Sequence, residues 1–151
     1  DAAATAAPLV TRHSIAEARR RTTRLLLAED NRTNQMVALA MLRKLGYADV
    51  DLAENGEQAV AKVAAQPYDL ILMDCLMPLM DGYEATRELR RRGVETPIIA
   101  VTANAMAGDE ERSLASGMNA HLPKPLIMQT LAAALEKWLP GGGEELPLDG
   151  P

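Results

Sequence analysis

The stretch that decides the fold is residues 70–82, which reads LILMDCLMPLMDG. Its first four residues, Leu70–Met73, are all apolar, which is typical of a short strand buried on both faces of a parallel sheet. Asp74 follows at once, so a carboxylate stands where the predicted strand passes into a loop. In open α/β folds, functional groups collect at the carboxyl ends of the strands. Asp74 is therefore the first candidate for a functional residue.

Short apolar strands alternate with amphipathic helices on both sides of this stretch. The predicted strands are residues 24–28, 50–53, 70–73, 97–101 and 120–122. The predicted helices run from a cap at Asn31 or Thr33 to Gly46, and over residues 57–65, 82–92, 105–116 and 127–139. In the first helix, the apolar residues at helical spacing are Met36, Val37, Ala40, Met41 and Leu45. The alternation predicts right-handed βαβ units, so we expect an α/β fold with a doubly wound, five-stranded parallel sheet and helices on both faces.

Both ends of the chain have the composition of linkers. Residues 1–23 are rich in alanine and then in arginine, and residues 141–151 are rich in glycine, proline and acidic residues. Neither segment sustains an apolar stripe that would pack on a core. We therefore expect a linker or flexible segment over 1–23, one folded domain over 24–140, and a flexible linker over 141–151. The chain begins with Asp1 rather than Met, which indicates a fragment or a processed product.

Composition excludes several classes of function. Apolar residues make up 48% of the chain and charged residues 25%, as in ordinary globular proteins. The net charge of −5 argues against a nucleic-acid partner, and no apolar run or signal pattern indicates membrane contact or export by this segment. The single cysteine, Cys75, allows no internal disulfide and fits a reducing compartment. We expect a cytoplasmic location, and a monomer because the pattern shows no exposed apolar patch.

Three acidic residues follow two of the predicted strands. Glu29 and Asp30 come directly after the first strand, and Asp74 comes after the third. Carboxylates that meet at one edge of a sheet repel one another unless a cation lies between them, and Mg²⁺ prefers oxygen ligands. Asp30 is the expected direct ligand, and Glu29 is expected to bind through water. The Asp74 carboxylate can also act as a nucleophile toward a phosphoryl group.

A hydroxyl and an ammonium complete the set. Thr102 follows the fourth predicted strand and can donate to a phosphoryl oxygen, and Lys124 follows the fifth and can neutralise phosphoryl charge. Each residue taken alone has an ordinary explanation, such as a strand-end threonine or an exposed loop lysine. Because phosphoryl transfer depends on positioning and charge neutralisation, the five residues together predict a Mg²⁺-dependent aspartyl phosphorylation site.

With these residues identified, the chain resembles the receiver domain of two-component response regulators over roughly residues 24–139. The resemblance rests on the strings LLLAEDNRTN, LILMDCLMPLMDGYEAT, PIIAVTANA and GMNAHLPKPL. It implies the flavodoxin-like receiver fold and transfer of a phosphoryl group to Asp74 from a histidine kinase or a histidine-phosphotransfer domain. The implied Mg²⁺ ligands are Glu29, Asp30, Asp74 and the backbone carbonyl of Leu76. Thr102 and Lys124 are implied to bind the phosphoryl oxygens.

The EDN and TANA strings look most like receivers attached to hybrid sensor histidine kinases. The parent chain is therefore expected to be such a kinase, and this segment a cytoplasmic part of it. Beyond self-phosphorylation and autodephosphorylation, no turnover of a separate substrate is expected. The family usually carries Tyr or Phe three residues before the lysine, where this chain has His121. Thr102 and His121 are the expected switch residues, although His121 equally fits a strand histidine without a switching role.

Three other functions fit parts of the pattern. A haloacid-dehalogenase-like phosphatase also uses an aspartyl nucleophile and Mg²⁺, but it typically carries a second acid where this chain has Leu76. A flavodoxin-like cofactor binder would need a phosphate loop rich in Ser, Thr and Gly where this chain has EDNRTN. An interaction module of the same fold that is never phosphorylated is the third alternative. Retention of all five site residues argues against it.

Overall fold

The computed structural model describes residues 17–103 and 107–139, together with Ile15. The strands are β1 (Arg24–Ala28), β2 (Asp49–Ala53), β3 (Leu70–Asp74), β4 (Ile98–Thr102) and β5 (Ala120–Pro123). The helices that alternate with them are α1 (Arg32–Lys44), α2 (Gly56–Ala65), α3 (Gly82–Arg91), α4 (Ala107–Ser116) and α5 (Met128–Trp138). Residues 17–22 are also helical and precede β1 directly. None of the helices in the described part of the chain is long and apolar enough to cross a membrane.

All five strands are parallel and follow the order β2-β1-β3-β4-β5. This arrangement confirms the predicted doubly wound sheet. The order reverses direction between β1 and β3, and in such folds a crevice opens at the carboxyl ends of the strands at that point. Ala28 pairs with Met73, and Thr102 pairs with Pro123, so the residues that follow each strand emerge at one edge.

Alternate strand residues form two separate cores, one on each face of the sheet. Leu26, Ile71 and Ile98 face α2 and α3, whereas Leu25 and Leu72 face α1 and α5. All five side chains are fully buried. The central strands are apolar on both faces because each face is covered by helices.

The buried face of α1 differs from the face predicted by its apolar residues. Gln35, Ala38 and Leu42 are buried, whereas Met36 and Val37 are 60% and 46% exposed. Hydropathy alone ranks Met above Gln for burial. Here the glutamine amide makes a buried hydrogen bond near the end of β1, which offsets the cost of desolvating it. Two large apolar side chains are consequently left on the surface.

Several element boundaries differ from the predicted ones. Strands β3 and β4 each end one residue later than predicted, at Asp74 and Thr102, and β4 also begins one residue later, at Ile98, because the sheet hydrogen bonds continue to these ends. Cys75 N donates to Val101 O at 3.1 Å, and Lys124 N donates to Thr102 O at 2.7 Å. The predicted start of α4 at Ala105 and the predicted linker over 141–151 lie outside the described residues.

The segment before β1 includes a packed turn of helix. Within residues 17–22, the side chain of Arg20 lies over Gly46, whose φ is +100°, and hydrogen bonds with the buried Tyr47. A Cβ at position 46 would lie 3.3 Å from Arg20 Cδ. Glycine suits this position because of both the backbone conformation and the close contact.

Candidate functional site

The turn from β1 to α1 holds the acid pair. Glu29 N donates to Ala53 O at 2.9 Å, so the backbone of the turn still follows the sheet. One carboxylate oxygen of Glu29 accepts from Asn31 N at 2.9 Å. Asn31 in turn caps α1, because its Oδ1 accepts from Asn34 N at 2.9 Å. The EDNRTN string thus forms a cap that fixes Glu29 and begins a helix, as its residues predicted.

The three predicted carboxylates converge at the carboxyl edge of the sheet. Each of Glu29, Asp30 and Asp74 offers an oxygen atom that lies within 4.8 Å of the other two. Glu29 and Asp74 are buried, and Asp30 is exposed. The amide of Leu76 donates to Asp74 Oδ1 at 3.3 Å, which places the backbone of residue 76 beside the cluster.

Lys124 lies against two of these carboxylates. Its Nζ is 3.0 Å from Glu29 Oε1 and 3.0 Å from Asp74 Oδ2. Burial lowers the pKa of Lys124, but the hydrogen bonds with Asp74 and Glu29 outweigh burial and leave the pKa above its usual value. The ammonium therefore stays charged. The peptide bond that joins Lys124 to Pro125 is cis.

The two buried carboxylates titrate differently. Burial raises the pKa of Asp74 to about 6, and the hydrogen bond from Lys124 counteracts this only in part while Glu29 adds to it. For Glu29, burial also raises the pKa, but the Asn31 amide and Lys124 outweigh it, and the pKa lies below its usual value. The one ammonium of Lys124 therefore does not balance the negative charge of the two buried carboxylates, and Asp74 is the carboxylate whose ionised form is disfavoured.

This donor set fits Mg²⁺. The three carboxylates supply hard oxygen donors that lie within 4.8 Å of one another, close enough to share one ion. The excess negative charge around Asp74 favours a divalent cation. Glu29, Asp30 and Asp74 would hold the ion. When bound, Mg²⁺ neutralises charge on a transferring phosphoryl group. The predicted fourth ligand is the carbonyl oxygen of Leu76. The amide of the same residue donates to the Asp74 carboxylate, so the backbone of Leu76 lies beside the cluster.

Two glycines let the loop after Asp74 pack closely. Gly82 N donates to Cys75 O at 3.0 Å, and a Cβ at position 82 would lie 2.2 Å from Asp74 O. Gly56 N donates to Met80 O at 2.8 Å, and a Cβ there would lie 2.4 Å from the same oxygen. Any side chain at either position would displace the loop that carries the site.

The two predicted switch residues lie in different surroundings. Thr102 is buried at the end of β4, and its carbonyl accepts from the Lys124 amide, so it borders the carboxylate cluster. His121 lies on β5, and its Nδ1 is 4.0 Å from Glu110 Oε1 on α4. The structure therefore joins Thr102 to the site and places His121 against α4.

Sequence reasoning missed two residues beside the site. Gln35 Nε2 donates to Glu29 O at 2.6 Å, and no signal in the sequence pointed to it, because the apolar pattern of α1 places Met36 inward instead. Tyr83 is fully buried beside Cys75, and burial raises its pKa to about 12. The guanidinium of Arg112, on α4, stacks 4.1 Å from the centre of its ring. Tyr83 thus links the loop after Asp74 to α4.

The family model for the response regulator receiver domain matches residues 25–136. Among curated proteins, the chain is 47% identical over 122 residues to the two-component response regulator ORR41 of Oryza sativa subsp. japonica. That match covers 79% of this chain and 96% of the rice protein. The range that the family model matches contains the acid pair, Asp74, Thr102 and Lys124.

Solved structures agree with the fold and with the metal chemistry. The receiver domain of the sensor histidine kinase PA1611 from Pseudomonas aeruginosa PAO1, solved with a magnesium ion coordinated in its active site cleft, is 51% identical, with a TM-score of 0.71. The match covers 77% of this chain and 96% of that one. The receiver domain of Saccharomyces cerevisiae Ssk1, solved with the histidine phosphotransfer protein Ypd1, is 30% identical, with a TM-score of 0.73. That match covers 79% of this chain and 90% of that one.

The parallel sheet, the carboxylate cluster at its carboxyl edge and these relatives lead to one conclusion. The chain belongs to the response regulator receiver domain family, the phosphoacceptor domains of two-component phosphorelays.

Proposed function

We propose that Asp74 is the phosphoacceptor of this receiver and that Glu29, Asp30, Asp74 and the Leu76 carbonyl hold the Mg²⁺ on which phosphorylation depends. The observation that supports this most strongly is the convergence of three carboxylates within 4.8 Å of one another. A purely structural cluster of this kind would be costly, because two of its members are buried and their charges repel.

The reaction proposed is transfer of a phosphoryl group from a phosphohistidine. An oxygen of the Asp74 carboxylate attacks phosphorus, a new O–P bond forms, and the N–P bond of the phosphohistidine breaks. The electron pair of that bond returns to the imidazole nitrogen, which then takes a proton from solvent. Attack requires the ionised form of Asp74, which Lys124 favours through its contact at 3.0 Å.

Lys124 and Thr102 would receive the phosphoryl oxygens. Both residues stand at the ends of neighbouring strands, and the Lys124 amide bonds the Thr102 carbonyl, so movement of either backbone is transmitted to the other. Once Asp74 is phosphorylated, the Lys124 ammonium would exchange its contact with the Asp74 carboxylate for hydrogen bonds to the phosphoryl oxygens. Thr102 and His121 are the proposed switch residues, and α4, which His121 contacts, is the proposed element that responds.

The test is transfer from a phosphorylated histidine-phosphotransfer protein, followed by intact mass and by acid-stability of the phosphoryl group. Wild-type protein should gain one phosphoryl group only when Mg²⁺ is present. Asp74→Asn should gain none. The matched control is Asp81→Asn, which keeps the oxygen that caps α3 and should be phosphorylated like the wild type. Phosphorylation of the Asp74→Asn protein at the wild-type rate would refute the assignment.

A partner surface adjoins the site. Receiver domains interact with histidine-phosphotransfer proteins, as the Ssk1 receiver does with Ypd1. In this chain Met36, Val37 and Ile127 are 60%, 46% and 55% exposed, which contradicts the expectation that no apolar patch is exposed. A groove of about 130 Å³ between α1 and the start of α5, lined by Val37 and Leu126, borders Glu29 and Lys124. We propose that a histidine-phosphotransfer domain or a kinase docks over these residues, while the receiver itself remains a monomer.

Two phosphodonors distinguish docking from chemistry. A phosphotransfer protein must dock on the receiver, whereas acetyl phosphate needs only the phosphorylation site. Met36→Asp should slow transfer from the phosphotransfer protein at least tenfold, because a charge placed in an apolar interface is desolvated without a partner. It should leave phosphorylation by acetyl phosphate unchanged. Leu114→Asp is the control, since Leu114 is 55% exposed on α4, away from this groove. Equal slowing by both substitutions would contradict the proposed surface.

We propose that the chain is the receiver of a hybrid sensor histidine kinase and that it lies in the cytoplasm. The similarity to the PA1611 receiver supports an origin in a hybrid sensor histidine kinase, which would place this domain in the cytoplasm. The buried free thiol of Cys75 is compatible with that compartment. Sequencing the gene that encodes the chain tests this directly, because a hybrid kinase requires a dimerisation domain with a phosphoacceptor histidine upstream.

A further inference from the structure

The side chain of Gln35, on α1, bonds the backbone beside the carboxylate cluster. Its side-chain Nε2 donates to the backbone carbonyl of Glu29 at 2.6 Å, and both residues are buried. Gln35 is the one polar side chain among the buried residues of α1, next to Ala38 and Leu42 on the same face. Because a buried amide loses its contacts with water, the hydrogen bond to Glu29 O is what offsets the cost of burying Gln35.

The carbonyl that Gln35 binds belongs to the peptide plane that joins Glu29 to Asp30. Peptide planes are rigid, so holding this oxygen fixes the direction in which the chain leaves Glu29 and the position of the Asp30 Cα. On its other sides Glu29 is held by Ala53, which accepts from its amide, and by Asn31 and Lys124, which donate to its carboxylate. Those contacts hold Glu29 itself. The Gln35 contact orients the bond that leads to Asp30.

We propose that Gln35 is a positioning residue for the metal site: its amide orients the Glu29–Asp30 peptide so that the Asp30 carboxylate meets Mg²⁺ in the correct place. The inference rests on the proposed metal site. Gln35 does not touch the ion, so its effect is on affinity for Mg²⁺ rather than on the chemical step. Outer partners of metal ligands commonly contribute tenfold or more to affinity.

The test compares Gln35→Met with two reference proteins. Methionine keeps the length and volume of the side chain but offers no hydrogen-bond donor. If Gln35→Met folds poorly, Gln35→Asn replaces it, because the shorter asparagine side chain does not reach the Glu29 carbonyl. Ala40→Gly is the matched control, because Ala40 is exposed on the same helix and glycine destabilises α1 without touching the turn. Asp30→Ala is the reference for loss of a direct ligand. Mg²⁺ affinity is measured by calorimetric titration without a phosphodonor.

The expected result is about tenfold weaker Mg²⁺ binding by Gln35→Met and unchanged binding by Ala40→Gly. At saturating Mg²⁺, phosphorylation by acetyl phosphate should proceed within twofold of the wild-type rate. Amide exchange at Asp30 and Asn31 in the metal-free protein should speed up in Gln35→Met alone.

Two results would overturn the inference. One is wild-type Mg²⁺ affinity in Gln35→Met, and the other is equal weakening in Gln35→Met and Ala40→Gly, which would reflect helix stability alone. The proposed metal site fails separately, if Asp30→Ala binds Mg²⁺ as the wild type does.

Discussion

Asp74→Asn should make the metal-free protein more stable, although it removes the phosphoacceptor. The structure buries the Asp74 carboxylate beside Glu29, and the contact with Lys124 does not fully compensate. Its pKa is therefore raised from 3.8 to about 6 in the folded protein. At 1.36 kcal/mol per pKa unit, ionising this group costs the fold at most about 3 kcal/mol. Because an amide keeps one oxygen to accept from Lys124 but loses the attraction between charges, we expect a net gain of about 1–3 kcal/mol at pH 7.

The gain should depend on pH with a definite sign. Between pH 4 and pH 6 the folded state binds more protons at Asp74 than the unfolded state, so the contribution of this group to stability falls as pH rises through that window. The Asn variant does not titrate there. The difference in free energy of unfolding between the two proteins should be close to zero at pH 4 and should reach its full value by about pH 7.

The assay is urea denaturation followed by Trp138 fluorescence, in chelator and in Mg²⁺. In a thermal melt of the same proteins, a gain of this size corresponds to a rise of roughly 4–12 °C in Tm for a domain of this length. Mg²⁺ should stabilise the wild type by binding only the folded state and should reduce or reverse the difference. A metal-free Asp74→Asn protein that is no more stable than the wild type at pH 7 would show that burial and repulsion do not destabilise the ionised carboxylate of Asp74.

Four further predictions follow from the site and its supports. Asp30→Ala should abolish Mg²⁺ binding in a calorimetric titration, because it removes the exposed carboxylate of the cluster. Lys124→Ala should leave Mg²⁺ affinity largely intact but abolish the change in amide exchange of α4 on phosphorylation; a normal change would contradict the role given to this ammonium. Gly82→Ala should cost about 1–3 kcal/mol in chemical denaturation, since its Cβ would lie 2.2 Å from a backbone oxygen, whereas Gly108→Ala, with open space around it, should be neutral or stabilising. His121→Ala should leave the phosphorylation rate unchanged while it alters exchange in α4, and identical exchange would favour a histidine without a switching role.

The fold could be predicted because its strands carry a strong signal. Leu70–Met73 and the apolar run before Thr102 are buried on both faces, and only a parallel sheet covered by helices accommodates such strands. The site could be predicted for a related reason. Residues that follow parallel strands must meet at one edge, so Glu29, Asp74 and Lys124 could be brought together from their order along the chain alone.

What the sequence did not indicate are the contacts that depend on which way a helix is turned. Hydropathy placed Met36 inward on α1, but the structure buries Gln35 instead, because the glutamine amide bonds a backbone carbonyl that no pattern of apolar residues reveals. The same limit applies to Tyr83 and Arg112, which lie on two different helices and meet only after both pack on the sheet. His121 was identified by position, and its contact with α4 required the structure.

This receiver is proposed to take a phosphoryl group on Asp74 and to need Mg²⁺ to do so. The most direct measurement is the intact mass of the protein after incubation with acetyl phosphate, with Mg²⁺ and with chelator, alongside Asp74→Asn. We predict the gain of one phosphoryl group by the wild type in Mg²⁺ only, and no gain by the variant. A gain that persists in chelator would contradict the need for Mg²⁺, and one that persists in Asp74→Asn would contradict Asp74 as the phosphoacceptor.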